Sequence, residues 1–332
     1  MRALEYVRAE DPAAAVELVA GNPEARYLGG GTNLVDHLKL GITTPQVLVD
    51  ISRLPLADID EYDDDRGTGL RIGANVRNSD LAAHPIVRSR FPVLARAVLA
   101  GASAQIRHQA TTGGNLLQRT RCVYFQDATT PCNKREPGSG CSAIEGYGRY
   151  NAILGASDAC VATHPSDLAV ALASLDASVL VLGRDGERRQ PIEDLYRLPG
   201  DSPDLDTTLS AGDLILAVEI PSASATARST YVKVRDRASF AFALVSVAAV
   251  LHVEGEIVRD VRVAWGGVAH MPWRARRVET ALVGGALTEE SVMAAVDDEL
   301  SAARTAPESA YKVPMLRNAT AMTLLQLAEE SR

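Results

Sequence analysis

The spacing of apolar positions changes character several times along the chain, and each change predicts a different element. Ala13 to Ala20 is apolar on a helical period, and Asp11 before Pro12 supplies a capping carboxylate and a proline suited to the first turn. Arg26 to Leu28 predicts a short strand running into Gly29-Gly30-Gly31, and Asn33 to Leu40 a second helix. Val47 to Ile51 and Leu70 to Ala74 predict strands parted by an acidic turn, Asp63 to Arg66. Asp167 heads a helix that reaches Leu175, and Ser178 to Leu182 and Leu214 to Ile220 predict strands, the second stopped by Pro221. Thr230 to Val234, Phe242 to Val253 and Ile257 to Trp265 predict three more, with Glu254-Gly255 turning the second into the third. From Arg274 the tail is helical, with Thr288 as a cap and amphipathic stretches at Glu289 to Ala303 and Pro314 to Ala328. The class is α+β.

Two interruptions organise this series. From Arg119 to Cys160 the periodicity vanishes and prolines and glycines accumulate; structureless loops beyond about 12 to 15 residues are uncommon in compact domains, so something must hold this one. Ser222 to Ser229 is small and polar, the composition of a linker, and places a domain boundary there. A chain of 332 residues is long enough for two or three structural units. The apolar run Phe240 to Val250 is shorter than the roughly 20 residues of a spanning helix and predicts a buried strand.

Composition narrows the function by exclusion. With 46% hydrophobic and 23% charged residues the chain has the mix of an ordinary globular protein. A net charge of -8 would be repelled by nucleic acid or an anionic membrane without a concentrated basic stripe, and the sequence has none. Glu5, Glu10 and Asp11 stand where a signal peptide would be apolar, so the chain on its own is expected in the cytoplasm.

Candidate chemistry concentrates in the aperiodic segment. All four cysteines, Cys122, Cys132, Cys141 and Cys160, fall inside it with the spacing C-x9-C-x8-C-x18-C. Zinc sites usually show close C-x2-C pairs, whereas an iron-sulfur cubane also takes four thiolates and is bulkier, so wider separation suits it. Spacing alone does not choose between the two, and two disulfides or four unrelated thiols also remain open. Arg119, Arg121, Lys134 and Arg135 would offset a cluster's negative charge if they point inward; they are otherwise solvated loop charges.

Gly29-Gly30-Gly31-Thr32-Asn33 follows a strand and precedes a helix, so its backbone N–H groups can approach a pyrophosphate closely. It lacks the G-x-G-x-x-G spacing of a nicotinamide-type turn, and a tight turn with no ligand is the simpler account of it alone. A second such turn, Thr111-Thr112-Gly113-Gly114-Asn115, suggests a dinucleotide shared between subdomains. His164-Pro165-Ser166-Asp167 has the form of a helix start with Ser166 or Asp167 as the cap, a role compatible with ligand contact. The six histidines show no metal-type spacing and no G-x-S-x-G turn occurs, which leaves hydrolase chemistry without support.

Taken in order, Tyr27 to Leu34, Thr111 to Asn115, Pro165 to Leu168 and Gly212 to Pro221 resemble the FAD-binding medium subunit of the xanthine dehydrogenase (molybdenum hydroxylase) family, and Gly266 to Ala269 with Arg274-Ala275 resembles its C-terminal domain. The resemblance implies a vanillyl-alcohol-oxidase-like (PCMH-type) FAD-binding fold over residues 1–223, with subdomains of about 1–56 and 57–223, followed by a smaller α+β domain over 228–332. It implies that Tyr27, Leu28, Gly29, Gly30, Gly31, Thr32, Asn33 and Leu34, with Thr111, Gly113, Gly114 and Asn115, wrap the FAD, that Asp167 binds it, and that Ile215 and Lys233 lie near the flavin. Gly101 aligns where xanthine dehydrogenases place an aromatic residue beside the flavin. The commonest members lack the cysteine loop 119–160. The stretch from Arg119 to Cys141 is similar to the cluster-bearing branch, above all to bacterial three-subunit aldehyde oxidoreductases, which implies that Cys122, Cys132, Cys141 and Cys160 ligate a 4Fe-4S cluster.

The implied assembly is a heterotrimer, or its dimer, with a molybdenum-cofactor large subunit that oxidises the substrate and a 2Fe-2S small subunit that passes electrons to this chain's FAD and on to an external acceptor. No catalytic acid or base is then expected here, because the cofactors carry the chemistry. Close relatives of this type can be carried into the periplasm on a partner's signal, which is the alternative to the cytoplasm. Two other classes compete: a self-contained flavin oxidase of the same fold, and a zinc-loop interaction module. The first needs its own substrate pocket; the second leaves the glycine turns unexplained.

Overall fold

The structure, a computed structural model, describes residues 3–64, 67–225 and 227–329. The chain begins with a β-α-β-α-β unit: β1 (Glu5–Arg8), α1 (Pro12–Ala20), β2 (Ala25–Leu28), α2 (Leu34–Leu40) and β3 (Val47–Asp50). Its three strands are parallel in the order β1-β3-β2. Asp11 caps α1 as expected, its carboxylate accepting from Ala14 N at 2.8 Å. Ala15, Val16, Val49 and Leu54 form the core of this unit, closed by Leu214 and Leu216 from the next sheet.

A second unit follows: β4 (Ile59–Asp64), β5 (Gly67–Gly73), the helices α3 (Asn78–Ala83), α4 (Pro85–Arg90), α5 (Pro92–Ala100), α6 (Ala104–Gln109), α7 (Thr112–Leu116), α8 (Val123–Gln126) and α9 (Asp167–Ser174), then β6 (Ser178–Gly183), β7 (Gly186–Pro191), α10 (Ile192–Leu195) and β8 (Leu214–Pro221). Its five strands pair antiparallel in the order β4-β5-β8-β6-β7. The two strands of this sheet that apolar spacing did not predict, β4 and β7, are its edges. Their charged sequences, IDEYDD and GERRQP, protect edge backbone from pairing with another chain and so carry no apolar alternation. Asp63 and Asp64 of the expected acidic turn lie in β4; Asp65 and Arg66 lie outside the described residues.

The last unit is the antiparallel sheet β12-β11-β10-β9, made of β9 (Arg228–Val234), β10 (Val245–Glu254), β11 (Ile257–Gly266) and β12 (Trp273–Arg274), and covered by α11 (Arg276–Leu282), α12 (Glu289–Leu300) and α13 (Lys312–Glu329). Strand β10 is buried on both faces. Val245, Val247, Ala249 and Leu251 pack with the helices, whereas Ala248 and Val250 join the core of the second unit against α9. This double burial is why its sequence reads as a continuous apolar run.

All eight residues of α9 are buried, so the C-terminal sheet shares a core with the unit before it. The stretch expected to be a linker is accordingly packed. Ser224 is buried, its hydroxyl donating to Leu175 O at 2.8 Å and accepting from Arg262 Nη1 at 2.6 Å. No helix among the described residues is long and apolar enough to cross a membrane.

Candidate flavin cleft and cysteine loop

The two glycine turns dock on each other. A Cβ on Gly30 would stand 2.2 Å from Gln109 O, and one on Gly29 would stand 3.3 Å from Thr111 Oγ1, so the first turn lies against the backbone that leads into the second. Thr111 caps α7, accepting from Gly114 N at 3.2 Å, and a Cβ on Gly114 would meet the same oxygen at 2.8 Å. The lack of a side chain at Gly30 is thus required by contact with the backbone of Gln109 and Ala110; close approach to a ligand is not what first demands it. Gly31 adopts φ +75° beside Leu28, and Gly113 packs on Ala74. Tyr27 serves the scaffold, its hydroxyl donating to Gly212 O at 2.5 Å. Leu34 opens α2.

In front of these turns lies a cleft of about 580 Å³, within the range of small-molecule and cofactor sites. Thr32, Asn33, Gly114, Asn115, Asp167 and Lys233 line it. Tyr27, Leu28, Gly29, Gly30, Gly31, Leu34, Thr111 and Gly113 do not line it. Ile215, expected near the flavin, is 3% exposed in β8, opposite Val181 and within the core, and does not line the cleft.

The buried Asp167 carboxylate accepts from Lys233 Nζ at 2.7 Å and from the Tyr231 hydroxyl. Burial, together with Asp167, holds the Tyr231 phenol well above its ordinary range, so it remains a donor. Ser166 is the cap of α9, accepting from Ala169 N at 3.0 Å, and its hydroxyl donates to Asn115 Oδ1 at 2.7 Å, tying the second glycine turn to the helix. His164 packs edge-on against Tyr196, with ring centroids 4.6 Å apart, and burial lowers it to about 4, leaving it neutral at neutral pH. Buried Lys312 donates to Asn151 O at 2.8 Å and Gly267 O at 2.7 Å, fixing α13 to two residues of the cleft wall.

Aromatic side chains reach the cleft from places that no motif marked. Gly101 lines it, and a Cβ there would stand 3.2 Å from Asp167 Oδ2, so any side chain at this position would press on the Asp167 carboxylate. Tyr147 and Tyr150 of the cysteine loop and Phe240 and Phe242 between β9 and β10 line the cleft instead. Apolar spacing placed both in the buried β10 run, but the strand begins at Val245 and leaves them exposed in the loop before it.

The cysteine loop forms the adjoining wall. All four thiols are free, with Cys132 and Cys160 buried and Cys122 and Cys141 half-buried. Cys132 and Cys141 pair through a β-bridge, Cys141 and Cys160 share a thiol hydrogen bond that lowers Cys141 to about 6, and burial raises Cys122. Cys122 also lines the cleft. No three His, Cys, Asp or Glu side chains among the described residues are disposed around a single metal ion.

The loop cations are largely committed within the protein. Lys134 Nζ and Arg119 Nε each meet Asp206 at 2.6 Å, and despite its burial that carboxylate is held below its ordinary range by the two cations. Arg135 donates to the carbonyls of Tyr124, Phe125 and Thr130. Of these, Lys134 acts on a cysteine, its charge opposing the rise that the Cys141 hydrogen bond and then burial impose on Cys160.

Residues 2–223 match the family model for the FAD-binding domain in molybdopterin dehydrogenase, and residues 230–327 that for the carbon monoxide dehydrogenase flavoprotein C-terminal domain. The chain is 47% identical to the aldehyde oxidoreductase FAD-binding subunit PaoB of Escherichia coli over 98% of both chains, and 28% identical to the glyceraldehyde dehydrogenase medium chain of Sulfolobus acidocaldarius over 86% of this chain and 83% of that one. Among solved structures it is similar to carbon monoxide dehydrogenase from Hydrogenophaga pseudoflava, with a TM-score of 0.75, 25% identity, and 97% and 96% of the two chains covered. The chain belongs to the FAD-binding medium subunits of the molybdenum hydroxylase family and is an oxidoreductase subunit.

Proposed function

We propose that this chain is the FAD-binding and iron-sulfur electron-transfer subunit of an aldehyde-oxidising molybdenum complex. Whole-chain similarity to the aldehyde oxidoreductase subunit carries this reading. Bound FAD supplies the exchange between single electrons arriving from a partner's 2Fe-2S clusters and the electron pairs taken by an external acceptor. The residues of this chain hold and orient it. Thr32 and Asn33 of the first glycine turn and Asn115 of the second line the cleft, as does the Asp167–Lys233 pair.

Cys122, Cys132, Cys141 and Cys160 hold a 4Fe-4S cluster in this proposal. Four free thiols in one ordered loop support it, with Cys141 bridged to Cys132 through the backbone and hydrogen-bonded to Cys160. The large molybdenum subunit and the small 2Fe-2S subunit complete the assembly. Alone the chain resides in the cytoplasm; carried by a signal-bearing partner it reaches the periplasm.

The test is purification of the chain with and without its partner subunits, measuring flavin and iron per chain. Bound FAD with about four irons supports the proposal, and stoichiometric zinc with no iron contradicts the cluster.

A further inference from the structure

Four cations line the cleft: Arg107, Arg121, Lys233 and Arg237. Three have their donors engaged. Arg107 donates to Gly101 O at 2.7 Å and Leu99 O at 3.4 Å, Lys233 to Asp167 and to Ala100 O at 3.2 Å, and Arg237 to the carbonyls of Ser239 and Phe240 in its own loop. Arg121 differs. Its Nε is buried with no hydrogen-bond partner, and its ion pair is with Asp36, at a loose 3.9 Å and with the aspartate side chain 54% exposed. Its guanidinium lies over the Phe242 ring, 5.3 Å from the centroid, which fixes the plane without using an N–H donor.

The position of Arg121 is set by the first glycine turn. Asn33, the last residue of that turn, accepts from Arg119 N through Oδ1 at 3.1 Å, so the cysteine loop departs from the turn itself. Asp36 lies just beyond the turn, in the first coil of α2. A partly buried guanidinium whose Nη1 meets only a distant carboxylate is thus held in the cleft lining beside backbone suited to a diphosphate. Leaving such donors unpaired is costly, and the planar fork of arginine matches phosphate oxygens.

We propose that Arg121 is an FAD-binding residue, donating to a diphosphate oxygen at the Gly29–Asn33 turn, and that the cysteine loop thereby provides the counter-charge of the cofactor. The proposal rests on the reading that FAD occupies this cleft. Asp36 competes for the same guanidinium, so it weakens FAD binding.

The test compares FAD with riboflavin, which lacks the diphosphate, by fluorescence titration of the flavin-stripped full-length chain. Arg121→Met should weaken FAD roughly 10- to 100-fold, the worth of a charge-assisted hydrogen bond, while riboflavin affinity stays within about twofold. Arg121→Lys should fall between, because lysine keeps the charge and loses the fork. Asp36→Asn should tighten FAD and leave riboflavin unchanged. Wild-type FAD affinity in Arg121→Met overturns the proposal, as does equal loss of both ligands, which marks a packing role. If Arg121→Met does not fold, unchanged FAD affinity in both Arg121→Lys and Asp36→Asn overturns it. Asn115→Leu guards the underlying reading: if it leaves both ligands bound normally, the cleft assignment fails and takes the proposal with it.

Discussion

Lys233 Nζ stands 2.7 Å from Asp167 Oδ2, joining β9 of the C-terminal sheet to the first residue of α9. Both side chains are almost fully buried, and both residues line the flavin cleft. A buried ion pair persists only where its remaining donors and acceptors are satisfied, which the Tyr231 hydroxyl and the Ala100 carbonyl do here.

Lys233→Met should therefore leave a buried, unpaired carboxylate and cost about 3–5 kcal/mol, with reduced flavin retention. The double variant Asp167→Asn with Lys233→Met should recover part of that loss. Urea unfolding of the single and double variants reads both effects; additive losses would show that the pair is not coupled.

Gly30→Val should separate the two glycine turns, since even a Cβ would stand 2.2 Å from Gln109 O. Loss of bound flavin together with a lowered melting temperature is expected. Gly29→Ala, whose added carbon would meet Thr111 Oγ1 at 3.3 Å, should be much milder. Equal flavin content in Gly30→Val and wild type would refute the docking argument.

Three buried histidines set an acid limit on stability. Burial, with Arg119 and Arg121 beside it, lowers His37 to about 4; burial lowers His164 to about 4 and His270 to about 3. Between those values and the ordinary 6.5 the unfolded chain binds more protons than the folded one. Stability should be full above pH 6.5, fall as pH drops toward 4 and flatten below the lowest folded value. His270, with neither ring nitrogen partnered, is the place to test this. His270→Phe should flatten the midpoint-against-pH curve in that window, and an unchanged slope would rule out its contribution.

Cys132→Ser should abolish the iron signal and loosen the cysteine loop, since metal binding and loop order are linked. Iron analysis with limited proteolysis between residues 119 and 160 reads both. Retention of about four irons per chain in this variant would exclude Cys132 as a ligand.

Much of the fold was legible because its signals are local. Asp11 and Thr288 mark helix starts, and the β10 and β11 runs needed only composition. Helices α3 to α6 were not, since Pro85 and Pro92 divide residues 78–109 into pieces too short for a period to accumulate. The edges β4 and β7 were hidden by their charges. At the site, the glycine turns and Asp167 could be named because backbone approach and capping leave residue-type signatures. Phe240 and Phe242 could not, and Arg121 was named only as a counter-charge to the cluster, because only folding brings segments more than a hundred residues apart to one cleft.

The most direct test of the subunit reading is flavin absorbance under anaerobic conditions. FAD-loaded chain is mixed with aromatic and aliphatic aldehydes, first alone and then with the large and small partner subunits. The account places substrate oxidation on the molybdenum subunit, so the isolated chain should stay oxidised with aldehyde yet bleach with a chemical reductant. Adding the partners should make aldehyde bleach it. Bleaching by aldehyde at a catalytically useful rate with no partner present would contradict the account and make the chain a self-contained oxidase.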